Sequence, residues 1–333
     1  MNEWRIADPR TAGFHPDRLE RARRWQEERL GGAPYRALVV RDAGIVAEWV
    51  SGIERDAVVT IASAAKSIYA NLLGIAVAEG RIGSIEDRVA EYYPEMLDVP
   101  EGRGPKPGRY AFEKDRDITF EQIISNTSGY MKPGEDPGTV FNYQTFAMNV
   151  LTHTIARLYG AYDTDAPDRS PGFRSLIDEK IARPIGAAFE YSLSNFDHPP
   201  EARLGVFGYY CAVHTAARDA ARLGLLWCNR GEWDGRQVVP AEWIKRSVRV
   251  APPIIANCPE KQWCYGYGTW TNEKGKLWPN LPRDGFTASG NGGHYITVFP
   301  SESLVIVQNP RHYSGPESRA NPEFLELVLG ALA

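Results

Sequence analysis

TIASAAKSIYANLLGIAVAEG, residues 60–80, sets two polar side chains, Ser63 and Lys66, at the head of a run that is otherwise almost entirely apolar. The run predicts a buried helix that ends at Gly80. Three positions make nearly one helical turn, so the hydroxyl and the amine project from the same side. A cation in a first turn is opposed by the helix dipole, and these apolar neighbours leave it little surface. Ser-x-x-Lys alone is weak, since about one chance match is expected in a chain of this length. The bland reading makes Ser63 a helix cap and Lys66 a solvated first-turn residue. The chemical reading is sharper: a serine hydroxyl becomes a nucleophile only when a neighbouring base takes its proton, and a lysine in an apolar cleft can be that base. The helix start also offers the Ser63 backbone N–H to a developing oxyanion.

Working outward, residues 14–32 read as an amphipathic helix opened by Pro16 and Asp17 and closed by Gly31-Gly32. Residues 35–52 read as a hairpin around Asp42-Ala43-Gly44. From 81 to 205 strand patterns vanish, and helical segments 119–126, 142–160 and 173–183 alternate with Pro/Gly/Asp loops at 98–117 and 131–138. After 206 come a helix at 215–229, a strand YGYGTW (265–270), the strand pair HYITVFP (294–300) and SLVIVQN (303–309), and a terminal helix at 321–332. Strands thus sit at both ends with helices between them. The economical fold is α+β: one antiparallel sheet formed from both chain ends and covered by helices, with an inserted all-helical domain. The expected division is 1–60 with 206–333 against 61–205, which puts Ser63 at a junction where clefts form.

Composition bounds the partners. The chain has 333 residues, a formal net charge of −4 and no basic block, which argues against nucleic acid and anionic membranes. MNEWRIADPRTAGFHPDR has no basic stretch leading into an apolar one, and no apolar run reaches the roughly 18 residues of a membrane span. Cys211, Cys228, Cys258 and Cys264 form no CxxC pair and read as reduced thiols, so the expected location is the cytoplasm. Six dispersed histidines without HExxH argue against a metal, and no cofactor is expected. His153 reads as structural, whereas His294 follows a Gly-rich turn and is a candidate to face the cleft. That turn, SGNGG (289–293), lacks the ending of a phosphate loop, and no G-x-S-x-G elbow occurs. Trp263, Trp270 and Trp278 suit either pocket or core.

Further blocks accompany Ser63-Ala64-Ala65-Lys66: IISNTSG (123–129), Tyr143-Gln144-Thr145 before a new apolar helix, HTAARDAARLG (214–224), Ala288-Ser289-Gly290 and VFPSESLVIVQN (298–309). With these blocks in this order, the chain resembles the serine β-lactamase and penicillin-binding-protein superfamily. The resemblance spans about residues 14–332 and falls in the class C-like esterase and amidase branch, which holds 6-aminohexanoate-dimer hydrolase and family VIII carboxylesterases. It implies Ser63 as acylated nucleophile, Lys66 as its proton partner, and Tyr143 as a second acid/base whose phenol is shared with Lys66. It implies the backbone N–H groups of Ser63 and Asn291 as oxyanion donors, and Thr145, Ser289, Gly290 and His294 as substrate-binding residues. Two positions depart from the family pattern. Thr145 stands where the third residue of Y-x-N is an amide, and Ala288 stands where a lysine or histidine opens the later motif. Both argue against β-lactam chemistry and leave acyl transfer intact. The implied activity is cleavage of a small ester or amide through an acyl-enzyme. Three alternatives stay open: a β-lactamase or D-aminopeptidase activity, acyl transfer or ring closure in small-molecule biosynthesis, and a silent binding module on the same fold.

Overall fold

In the computed structural model, which describes residues 3–163, 166, 169–194, 210–309 and 322–333, strands from both ends of the chain meet in one sheet. The early strands are β1 (Arg5–Ile6), β2 (Tyr35–Arg41), β3 (Gly44–Ser51) and β4 (Val59–Thr60). The middle of the chain supplies β5 (Phe189–Ser194), β6 (Tyr210–Thr215), β7 (Glu232–Trp233) and β8 (Arg236–Gln237). The last four are β9 (Trp270–Thr271), β10 (Phe286–Gly290), β11 (His294–Phe299) and β12 (Leu304–Gln308). Among the described residues the main sheet runs β1-β3-β2-β12-β11-β10-β9. The β2–β3 hairpin turns where its sequence suggests, with Asp42 and Ala43 both left-handed at φ 47° and 57°. Every neighbouring pair is antiparallel except β1–β3, so the expected antiparallel sheet is mixed at one edge. Helix α1 (Pro16–Leu30) lies between β1 and the hairpin, and a helical crossover permits parallel pairing.

One face of the sheet is covered by α1 and the terminal helix Glu323–Leu329, whose Phe324 packs edge-on against Trp49 at 6.3 Å. The other face takes the helix Ala217–Cys228, which sits so close that a Cβ on Gly224 would lie 2.3 Å from Val305. A bidentate Arg218–Glu48 pair (3.0 and 2.8 Å) ties that helix to β3.

Three expectations need correction. The strand expected over YGYGTW (265–270) is broken by a bend at 267–269, and only its last residue joins β9 (Trp270–Thr271). A strand does exist before residue 205: β5 pairs antiparallel with β6, and β6 pairs with β4, in a second sheet. Its residues FEYSLS alternate apolar and polar, with Phe189 and Tyr191 packed against the core and Leu193 40% exposed, so the strand carries a period-2 signal in a stretch expected to hold none. The continuous helix expected from Thr60 instead begins as β4, then a 3₁₀ turn at Ala62–Ala64, then α2 (Ala65–Ala78). Ala62, at φ 47°, breaks any continuous α-helix running in from Thr60, and its N–H bonds to Thr60 Oγ1 at 3.0 Å. The boundary drawn at 205/206 and the start of the terminal helix at 321 lie outside the described residues.

The remaining helices fall near their expected places at Phe120–Ile124, Phe146–Leu158 and Gly172–Ile177, the last continued by a π turn over Asp178–Ala182. The first of them opens on a Thr119–Gln122 capping box. All twelve residues from Ala65 to Ala76 are buried, so α2 is packed on every side, as its all-round apolar sequence requires. No helix among the described residues is long and apolar enough to cross a membrane, and none of the four cysteines is in a disulfide.

This packing can be probed at two buried positions. A Cβ on Gly74 would lie 2.2 Å from the Trp243 ring, so Gly74→Ala should overpack the contact between α2 and the helix Ala241–Ser247 and cost about 1–3 kcal/mol in denaturant unfolding. His153, 3% exposed between the Tyr93 and Tyr162 rings, has its pKa pushed down to about 3 by burial and then by Arg157. The unfolded chain therefore binds the extra proton between its ordinary value of 6.5 and about 3, and stability falls as pH drops through that window. His153→Phe should flatten the decline in urea midpoint between about pH 7 and 4, leaving the smaller part of the same sign from His294.

Candidate active site

Ser63 occupies the middle of the 3₁₀ turn and Lys66 the first turn of α2, so the short i,i+3 spacing brings them together. Lys66 is 1% exposed and its Nζ donates to Ser63 Oγ at 3.0 Å. No carboxylate pairs with it among the described residues; its other contact is the Tyr143 ring, whose centroid lies 4.6 Å from Nζ. The resemblance implied a phenol shared with Lys66; the amine faces the π cloud of that ring, and among the described residues no hydrogen bond joins it to the hydroxyl. Such a contact contributes about 0.5–2 kcal/mol. Tyr143 is itself 37% exposed, stacks on Trp270 at 6.0 Å and 24°, and meets Tyr265 edge-on at 6.0 Å.

The opposite wall comes from β10. A Cβ on Gly290 would fall 2.1 Å from Ile61 O and 3.2 Å from Ala62 Cβ, so only glycine lets the strand end press against the residues leading into Ser63. Asn291 is the next residue, and its N–H and that of Ser63 therefore belong to two segments held in contact. On the other side of β10, β9 pairs only with Phe286 and Thr287, which leaves Ala288–Gly290 without a strand partner there among the described residues. Ala288 is fully buried and, by strand alternation, shares the face of Gly290, whereas the Ser289 side chain projects to the opposite face.

Thr145 is half-buried at the head of the helix Phe146–Leu158, where its side chain caps nothing and its carbonyl accepts the Asn149 N–H. His294 pairs across from Gly290 and is 7% exposed beneath the 291–293 turn, with Nδ1 3.3 Å from Asn309 Oδ1. Burial, and then the nearby Arg36 against the Asn309 bond, holds its pKa below the usual histidine value. Of the three tryptophans, Trp278 is core at 1% exposed and Trp263 bonds Cys258 O, while Trp270 borders Tyr143. The part played by Tyr265 was missed, although YGYGTW carried three aromatics, at 265, 267 and 270. Among the described residues no group of three or more His, Cys, Asp or Glu side chains is placed to hold a metal ion.

The beta-lactamase family profile matches residues 16–321. No curated protein matches the chain significantly. Solved structures do share the fold. A Bacteroides dorei protein assigned as a β-lactamase is 17% identical with a TM-score of 0.71, over 96% of this chain and 99% of that one. A family VIII carboxylesterase is 18% identical with a TM-score of 0.68, over 99% and 98%. A Bacillus anthracis protein assigned as a 6-aminohexanoate-dimer hydrolase is 18% identical with a TM-score of 0.61, over 92% and 79%.

Gly290→Ala tests the wall directly. The added methyl must push β10 away from Ile61 and should cost about 1–3 kcal/mol in denaturant unfolding, measured beside an unchanged circular-dichroism spectrum.

Proposed function

The chain belongs to the beta-lactamase family, and on that premise we propose that it is a serine hydrolase that cleaves a small, neutral ester or amide through an acyl-enzyme on Ser63. The observation that carries the reading is the 3.0 Å hydrogen bond from Lys66 Nζ to Ser63 Oγ, made by a buried amine with no carboxylate partner among the described residues. That amine acts as the base that takes the hydroxyl proton as Oγ adds to the substrate carbonyl. The N–H groups of Ser63 and Asn291 hold the oxygen that becomes negative. Collapse of the tetrahedral intermediate expels the leaving group, which receives its proton from the Lys66–Tyr143 pair. Water then adds to the acyl carbon, the pair takes up a proton from it, and Ser63 leaves with its hydroxyl restored.

Substrate preference follows from what surrounds this centre. Buried Ala288 puts no cation where a substrate carboxylate would need one, and Thr145 puts no amide beside the acyl group. The exposed Tyr143 ring, backed by buried Tyr265 and Trp270, favours an apolar group instead. These features support ester or amide cleavage over β-lactam hydrolysis. The same reading sets the site between residues 61–205 and the two flanking segments 1–60 and 206–333. It also places the enzyme in the cytoplasm, in keeping with four unpaired cysteines.

Fluorophosphonate treatment followed by intact-protein mass spectrometry should give one adduct, mapped to the peptide holding residues 63–66 and absent from Ser63→Ala. Lys66→Ala should lower kcat on short-chain nitrophenyl esters by about 10²–10⁴-fold, the usual worth of a general base. A chromogenic cephalosporin should turn over far more slowly than those esters. An unlabelled parent protein would sink the hydrolase reading and leave the silent binding module.

A further inference from the structure

Asn126 stands at the centre of the segment Ile123–Gly129. It is 1% exposed and left-handed, at φ 59°, a conformation that asparagine and glycine adopt more readily than other residues. From that position it grips both residues that flank Tyr143. Its carbonyl accepts the Asn142 N–H at 2.9 Å, and its side-chain Oδ1 accepts the Gln144 N–H at 2.9 Å. Its Nδ2 donates to the Tyr265 hydroxyl at 3.1 Å, and the Tyr265 ring is the one that meets Tyr143 edge-on. Gln144 is fastened again through Nε2 to Ser128 Oγ at 3.1 Å, and Asn142 through Nδ2 to Glu135 at 2.8 Å. Among the described residues Tyr143 has no comparable anchor of its own. It is more than a third exposed, and its side chain is held by ring contacts with Lys66, Trp270 and Tyr265.

We propose that Asn126 is a positioning residue that sets the Tyr143 phenol against Lys66 by clamping the peptide groups on both sides of it. The proposal rests on the reading of Tyr143 as a proton-transfer partner. Asparagine meets three demands at one position: the left-handed backbone, an acceptor for Gln144 and a donor for Tyr265. Glycine would keep the first and lose the other two. Aspartate would keep the backbone and the acceptor, with the Tyr265 hydroxyl turned round to donate.

A double-mutant cycle on the full chain tests this, using para-nitrophenyl acetate and an unactivated alkyl ester. Asn126→Gly should lower kcat by about 10²-fold with KM changed by less than about threefold, and the loss should be larger for the alkyl ester, whose leaving group needs the proton. Asn126→Asp should stay within about threefold of the parent. In a Tyr143→Phe background, Asn126→Gly should cost almost nothing more, since a clamp acting through the phenol has nothing left to place. A full additive loss in that background, or a rise in KM alone, would overturn the role of Asn126 and leave that of Tyr143 standing. A Tyr143→Phe variant as fast as the parent would overturn the reading of Tyr143, and the clamp with it. Should Asn126→Gly not fold, Tyr265→Phe, which leaves Nδ2 without its acceptor, takes its place in the cycle: a loss of kcat that vanishes in the Tyr143→Phe background supports the clamp, and an additive loss overturns it.

Discussion

The contact between Lys66 Nζ and Ser63 Oγ is the constraint around which the rest of the molecule is arranged. An amine inside an apolar helix must find its partners locally, because water does not reach it. It finds a hydroxyl three residues away and the face of one ring. Each of those partners must in turn be held where the amine can reach it. The backbone does this by close approach. Gly268, at φ 67°, comes so near that a Cβ would lie 2.4 Å from Lys66 O, and Gly290 does the same at Ile61 O. Two glycines from separate segments thus pinch the start of α2 from both sides.

The pinch also explains why residues 60–66 are not a plain helix. The 3₁₀ turn needs Ala62 in a left-handed conformation, which costs a non-glycine residue about 1–3 kcal/mol. Its methyl is among the three atoms closest to where a Gly290 side chain would begin. The strain is spent at the residue directly before Ser63. Neighbouring interactions in α2, such as Ser67 Oγ donating to Gly268 O at 2.8 Å, hold the helix start against the same strand entry.

Much of the fold was legible locally. Helix α1 and the β2–β3 hairpin carry their own start, stop and turn signals, and they form where those signals lie. The strand pair β11–β12 reads as two apolar runs and is one. Not every element was as legible. Strand β5 alternates Phe189, Tyr191 and Leu193 with polar residues, a local signal that the loop-rich surroundings hid, and it pairs with β6 along its length. Strand β1 has two residues, too few for a period, and its direction was decided by the helix that follows it. At the site, spacing alone could pair Ser63 with Lys66, because three residues on one turn is a local fact. It could not show that Tyr143 would present its ring face, or that Trp270 would stack behind it from a strand far along the chain.

The sequence by itself determined the layout of strands at both ends and helices between, the Ser63–Lys66 pair, and the threonine and alanine at positions 145 and 288. All of these are matters of residue identity and short-range periodicity. Only the tertiary structure decided which faces meet: that Ser289 turns away from Gly290's side, that His294 lies buried under the turn, and that Asn126 sits behind Tyr143. The reason is physical. Short-range spacing fixes directions within one element, while the distance between elements is set by backbone approach and side-chain volume across contacts that the chain order does not reveal.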